Sequence, residues 1–300
     1  MNKVERGTAG ASSTGSSSMV GAKARRIVPV LVHHALAAVV SAVFAIPLVW
    51  MVGASLRQPG LPPPTHLEWL PNPIVFTSYQ MVVTELLPFG TYLWNSLKIV
   101  AVAVPATVIA ASWAGFAMTQ ISPRSRRWLM VASLAALMVP VTALWLTRFI
   151  IYKWLGVLDT LWAVTLPAFM GSSPFYVLLF YWSFVRVPVE LYEAARLEGA
   201  GAFRIWASIA MPISKPAIVA VAVLSFVFYW SNFIDPLLYL NDQRNYPLSI
   251  GLQFLQQMQP TAFPLLMAGA VLITIPVIIM FMLAQKFFLQ DVRGAGFLGR

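Results

Sequence analysis

Six apolar runs, each about as long as the roughly 20 residues a helix needs to cross a bilayer, constrain this chain more than any other feature. They cover about residues 27–53, 92–118, 128–149, 161–185, 216–235 and 263–284. Inside hydrocarbon every backbone N–H and C=O must be satisfied within the chain, so runs of this length in a chain without β-strand alternation predict helices. The fold class expected is all-α, a polytopic membrane protein with six transmembrane helices. With 59% hydrophobic and only 10% charged residues, a soluble globular domain is excluded. The absence of cysteine removes disulfides and thiolate metal sites. The first run is preceded by Lys23, Arg25 and Arg26, but it has the length of a full span rather than that of a removable signal peptide.

Between the runs the composition changes in ways that assign sides. Residues 1–22 are rich in Gly, Ser, Thr and Ala and are expected to form a disordered cytoplasmic tail, with the transmembrane domain covering 23–300. Residues 57–88, with Pro62, Pro63 and Pro64, read as an external loop whose Trp69 and Tyr79 suit an interface. Pro140, Pro167 and Pro174 imply kinks or breaks, whereas Pro216 suits a helix start. An even number of spans puts both termini on one side. Fifteen of the 20 lysines and arginines then fall in the intervals shared with the termini, and Arg57, Arg148, Lys153 and Arg244 fall opposite. Positive residues concentrate on the cytoplasmic side, so both termini and the interval 186–215 are expected to be cytoplasmic. The net charge of +10 is explained by this topology, since the basic residues form no stripe of the kind nucleic acid requires.

The interval 186–215 is the long polar stretch of the second half. Leu191, Ala194, Ala195 and Glu198 recur at helical spacing and predict a short helix with a face of small side chains flanked by carboxylates. Gly199 and Gly201 are expected to end it, and a second amphipathic piece with Phe203, Trp206 and Ala210 runs up to Pro212. A helix lying on the headgroups is the plain alternative.

The spacing Glu193-Ala194-Ala195, three residues, Gly199, nine residues, Ile209, one residue, Met211-Pro212 resembles the EAA loop of the inner-membrane permease subunits of ABC importers, with Met211 in place of leucine. Further segments in order are similar to the carbohydrate-uptake branch, the maltose-permease type: Asn95-Ser96-Leu97, Met138-Val139-Pro140, Trp230-Ser231-Asn232-Phe233 with Pro236-Leu237, Tyr246-Pro247-Leu248 and Ile275-Pro276. Two features depart from that pattern: Glu198 stands where aspartate is more usual, and the tail Asp291–Arg300 lacks the usual glycine-rich ending. The resemblance implies a second permease subunit, two ATPase subunits that bind ATP and Mg, an extracytoplasmic solute-binding protein and a carbohydrate substrate, in the bacterial inner membrane. It also implies ATPase coupling through Glu193, Ala194, Ala195, Glu198, Gly199, Ile209 and Pro212.

Chemistry on the chain itself is not expected. No phosphate-binding G-x-x-x-x-G-K-[ST] segment occurs, and His33, His34 and His66 lack metal-ligand spacing, so no cofactor, no metal and no catalytic residue is assigned. The alternative class is an ion-coupled secondary transporter, which needs an ionisable group deep in the membrane; all ten acidic residues fall in loops or at span ends, Asp235 lying nearest a span. Tyr229, Trp230 and Asn232 lie within one helical turn and supply aromatic faces and an amide, the chemistry a sugar requires, so they are expected to border a solute pathway. Membrane lipid is the remaining partner expected.

Overall fold

A computed structural model describes residues 15–66, 68–258 and 262–295, and among them there is helix and no strand. Most of the expected tail, residues 1–14, lies outside the described residues. The remainder of it, from Gly15, is the start of helix α1, Gly15–Ser55, which packs chiefly against the last helix and leaves Val39, Val43 and Phe44 exposed. A polar connection follows, held by an Arg57–Glu68 ion pair at 3.2 Å, and leads to the short α2, Thr77–Gln80, which continues as a wider turn over Met81–Leu86.

Helix α3, Phe89–Gln120, is the axis of the bundle, and Pro105 is carried inside it. Its Asn95 donates from Nδ2 to the carbonyls of Arg244 (2.7 Å) and Tyr246 (3.1 Å), and Ser96 Oγ accepts the Leu248 N–H at 2.8 Å. The Asn-Ser pair thus satisfies backbone groups of a connection about 150 residues away, which gives this motif a structural purpose.

The third apolar run is not one straight span. It forms α4, Pro123–Leu137, and α5, Val141–Leu155, bent by 95° about Met138–Pro140. Pro140 supplies no N–H and excludes Val139 from helical dihedrals, so the expected span 128–149 is corrected to a broken pair. Ser122 caps α4 by accepting the Ser125 N–H, and Gly156 ends α5 at φ +66°.

The fourth run is also segmented: α6, Leu161–Thr165, a tight 3₁₀ turn over Leu166–Met170 around Pro167, and α7, Pro174–Val185, with Pro174 in its first turn. α3 and α7 meet so closely at Gly115 that a Cβ there would lie 2.8 Å from Val177 O and 2.9 Å from Tyr181 N.

Beyond α7 come α8, Val189–Leu197, and α9, Ala202–Ile205, which passes through a π-turn at Trp206–Ala210 into α10, Met211–Ile213. The helical path continues through Pro212, where an end is expected, and breaks at Ser214 instead. The wider π-turn moves the carbonyl four residues back away from the proline ring.

Helix α11, Lys215–Ser231, then enters the bundle at 84° to that segment, with Pro216 in its first turn. It ends four residues earlier than the expected 235, because Asn232 Oδ1 accepts the Asp235 N–H and starts a new short helix, α12, Ile234–Tyr239. α13, Leu248–Met258, and α14, Phe263–Ala295, complete the chain. α14 carries Pro276 and runs past the expected end at 284 into the divergent tail, of which residues 296–300 lie outside the described residues. Four described stretches are long and apolar enough to cross a bilayer, and the count reaches six when each of the two bent pairs is one span.

Polar contacts inside the bundle substitute for water. Thr107 Oγ1 and Ser172 Oγ lie 2.6 Å apart, and Ser172 Oγ and Tyr229 Oη 2.8 Å, so three hydroxyls join α3, the turn before α7, and α11. At one end Asp159, in a left-handed conformation at φ +59°, accepts the N–H groups of Asn241 and Asp242 at 2.9 Å each. Those two bonds, with help from the Asn245 amide, hold its carboxyl below the ordinary value of 3.8. A depressed carboxyl contributes stability above that value and loses it as pH falls through the folded pKa. The clasp between residues 159 and 241–245 therefore loosens in acid, as pH falls from the ordinary carboxylate value through the lowered folded one. Asp159→Ala is expected to speed amide exchange at residues 241 and 242 by about tenfold at neutral pH, whereas Asp159→Asn, which keeps an acceptor and the tolerance for positive φ but not the charge, is expected to fall between Ala and wild type.

Candidate functional site: an exposed helix and the span bundle behind it

α8 is amphipathic, but its faces are arranged differently from the sequence expectation. Tyr192 and Ala195 turn inward; Tyr192 Oη donates to Phe184 O at 3.2 Å and its ring meets Phe116 edge-on. Ala195, read as part of an outward small-residue face, is 8% exposed and packs into the bundle, because it stands three positions after Tyr192 on the same side of a helix. The outward face carries Glu190, Glu193, Ala194, Leu197 and Glu198. None of these carboxylates forms an ion pair among the described residues.

Leu197 is 90% exposed and Phe203 67%, which is a high cost in water for side chains of this size. Neither was assigned a coupling role from sequence. The available signal was Leu197 standing four positions after Glu193, on the turn that also carries Glu198.

Gly199 closes α8 at φ +79°, with its N–H on Arg196 O (2.9 Å) and the next N–H, of Ala200, on Ala195 O (2.9 Å). Nothing lies within 4 Å of a Cβ built there, so glycine is required by the backbone dihedral and not by space. Arg196 bonds Gln120 at the end of α3, fixing α8 to the bundle from the side. Behind it, Phe203, Trp206 and Trp113 form an aromatic group with Trp206 edge-on to Trp113 at 5.2 Å. Ile209 is half-buried against the same cluster and Pro212 is exposed.

The other expected site residues lie deeper. Tyr229 and Trp230 are buried at 3% and 2% exposure; Tyr229 Oη belongs to the hydroxyl chain and Trp230 Nε1 donates to Ile273 O at 2.8 Å. Asn232 is half-buried and uses both ends of its amide on Asp235, Nδ2 reaching Oδ2 at 2.9 Å. Their polar groups thus serve helix packing in this arrangement. Asp235 Oδ2 is also 3.3 Å from Arg148 Nη1 on α5, an ion pair that sequence could not pair across 87 positions. An aspartate so engaged is poorly placed to load and release an ion. Among the described residues no group of three His, Asp or Glu side chains is placed to hold a metal ion.

A helical bundle with four stretches long and apolar enough to cross a bilayer, or six when each bent pair is one span, defines a polytopic membrane protein, and α8 is a short amphipathic helix exposed on it. The chain belongs to the family of binding-protein-dependent transport system inner membrane components, whose model matches residues 103–294. It is therefore an inner-membrane transport component. It is 29% identical over 229 residues to the arabinooligosaccharides transport system permease protein AraQ of Halalkalibacterium halodurans, covering 76% of this chain and 81% of that one. It is 30% identical over 240 residues to the sn-glycerol-3-phosphate transport system permease protein UgpE of Brucella abortus, covering 79% and 84%. Its fold is similar to a chain in the crystal structure of a bacterial ABC transporter involved in the import of the acidic polysaccharide alginate, with a TM-score of 0.67 at 21% identity over 88% of this chain.

Proposed function

We propose that this chain forms, with a second permease subunit, the translocation pathway of an ATP-driven importer for a carbohydrate or carbohydrate derivative. An extracytoplasmic solute-binding protein delivers the solute, and two separate ATPase subunits bind ATP and Mg and attach through the loop 186–215. The carbohydrate class is supported by relatives named for arabinooligosaccharides, galactooligosaccharides and lactose. The attachment is supported above all by one observation: α8 holds outward Leu197 and carboxylates that form no ion pair among the described residues, and is closed by Gly199 in a left-handed conformation. ATP binding and hydrolysis on the partners then bias the pair of permeases between two arrangements through this helix. The ion-coupled alternative gains no support, since the aspartate nearest a span is paired with Arg148.

Both termini and α8 face the cytoplasm in this reading, on the asymmetry of basic residues. Cysteines introduced at positions 125, 200 and 65 test it, since the chain has none of its own. Position 65 is expected to react with an impermeant thiol reagent outside intact cells and positions 125 and 200 are not; the reverse pattern inverts the topology. The functional reading is tested by purifying the assembled complex, adding its binding protein and measuring ATP hydrolysis. A carbohydrate is expected to raise the rate, whereas uptake by this chain alone, driven by an ion gradient in vesicles, contradicts the proposal.

A further inference from the structure

A cleft of about 620 Å³ opens between α11, α13 and α14, within the roughly 300–1,000 Å³ range of small-molecule sites. Phe233 contributes exposed aromatic surface, the edge of buried Trp230 closes the wall, and Ser231, Ser249, Gln253, Gln256 and Thr274 contribute polar groups to a lining that is otherwise apolar. The Ser231 hydroxyl donates to Val227 O and the Ser249 hydroxyl to Asn232 O, which leaves both oxygens able to accept. The carboxamides of Gln253 and Gln256 have no hydrogen-bond partner among the described residues. They stand three apart on α13, whose Leu248, Ser249, Ile250, Gly251 and Leu255 are buried in the bundle.

No residue lining this cleft is charged, and the sequence from Leu248 to Phe263 carries no charge either. Helices at a membrane surface ordinarily place Lys, Arg or carboxylates on the wet face. The exposed residues of α13, Gln256, Gln257 and Met258, carry neutral amides and a thioether instead. A carboxamide offers donors and an acceptor together, which matches adjacent hydroxyls of a sugar. A cleft with no cation offers nothing to offset the desolvation of a phosphate or carboxylate.

We propose that this cleft is a solute-contact surface in which Gln253 and Gln256 select uncharged, polyhydroxylated solutes over phosphorylated or carboxylated ones. The inference rests on the carbohydrate-importer reading and narrows it. It moves direct contact from Tyr229 and Asn232, whose polar groups are occupied, to α13, with Trp230 forming part of the wall.

The test uses the complete complex with its binding protein in proteoliposomes, and lactose, arabinotriose, sn-glycerol 3-phosphate and an alginate oligosaccharide as probes. The wild-type complex is expected to respond to a neutral probe. A double Gln253→Leu, Gln256→Leu variant is expected to lower the maximal uptake rate of that probe by about tenfold, the scale for leaving a solute hydroxyl unpaired. Gln256→Glu, almost identical in shape, is expected to act in the same direction, and both variants are expected to retain the second permease and the ATPases on purification. A wild-type complex that responds only to the anionic probes, or to no carbohydrate, overturns the inference. Wild-type uptake in both variants overturns it while leaving the importer reading intact. Loss of the second permease, with normal uptake per remaining complex, makes the cleft a protein interface and overturns it as well.

Discussion

Gly115→Leu is expected to prevent the span bundle from packing, with a loss of monodisperse protein on extraction and no measurable uptake. The Cβ of any residue there falls 2.8 Å from Val177 O, 2.9 Å from Phe180 Cβ and 2.9 Å from Tyr181 N, separations real Cβ atoms do not show. Two of these are backbone atoms of α7 and cannot swing aside as a flexible side chain would. The whole α3–α7 crossing, around which Phe116, Phe180 and Phe184 interlock, has to open. Overpacking of this kind costs about 1–3 kcal/mol for a modest addition, and more when backbone must move, so Gly115→Ala should already lower the thermal midpoint in detergent. Gly90 supplies the control, because a Cβ there meets nothing within 4 Å and its φ is not positive. Gly90→Ala is expected to be neutral or slightly stabilising. Equal stability of all three variants would mean that α3 and α7 do not approach as described.

The second large effect is on coupling and leaves the bundle intact. Leu197→Asp replaces a side chain that is 90% exposed, so folding has little to lose, yet truncated anchor residues at an interface commonly cost about 2 kcal/mol or more, roughly 30-fold in affinity. Glu193→Ala removes one side of a charge pair expected with a basic group on the ATPase, which commonly costs about 2 to 5 kcal/mol. Gly199→Val forces a β-branched residue into φ +79°, at about 1–3 kcal/mol of backbone strain, and turns the chain entering α9. Gly199→Asn distinguishes the cause, since asparagine tolerates this conformation and should restore most of the activity. All three damaging variants are expected to reach the membrane at wild-type levels while losing ATPase attachment or uptake. Wild-type attachment and uptake in all three would reduce α8 to an ordinary surface helix.

Run length and proline position carried much of the architecture into the sequence. A long apolar run in a helical chain suits a membrane span, so four unbroken stretches, and two more as bent pairs, were legible as runs, and Pro140 announced its break because a missing N–H acts locally. Pro105 and Pro276 are carried inside α3 and α14, as prolines within packed membrane helices can be. The left-handed turn at Gly199 was legible for the same local reason. What stayed hidden was orientation and distance. Whether Ala194 or Ala195 of the Glu-Ala-Ala stretch faces outward depends on Tyr192 finding Phe116 and Phe184, residues from other helices. The pairing of Arg148 with Asp235 and the clasp of Asp159 on residues 241 and 242 join positions more than 80 apart, which a single sequence does not record. The cleft lined by Gln253 and Gln256 was hidden likewise, because it exists only where three helices meet.

The most direct test of the account is site-directed cross-linking in the assembled complex, made simple by the absence of cysteine from this chain. Single cysteines at Ala194 and Leu197, on the outward face of α8, are compared with one at Trp154, which is 83% exposed at the end of α5. A short heterobifunctional reagent that joins a thiol to an amine is expected to link positions 194 and 197 to lysines of the ATPase subunit, with a yield that changes on adding ATP, and to leave position 154 free of it. Cross-linking to the ATPase from position 154 and none from 194 or 197 would contradict the assignment of α8 as the coupling helix.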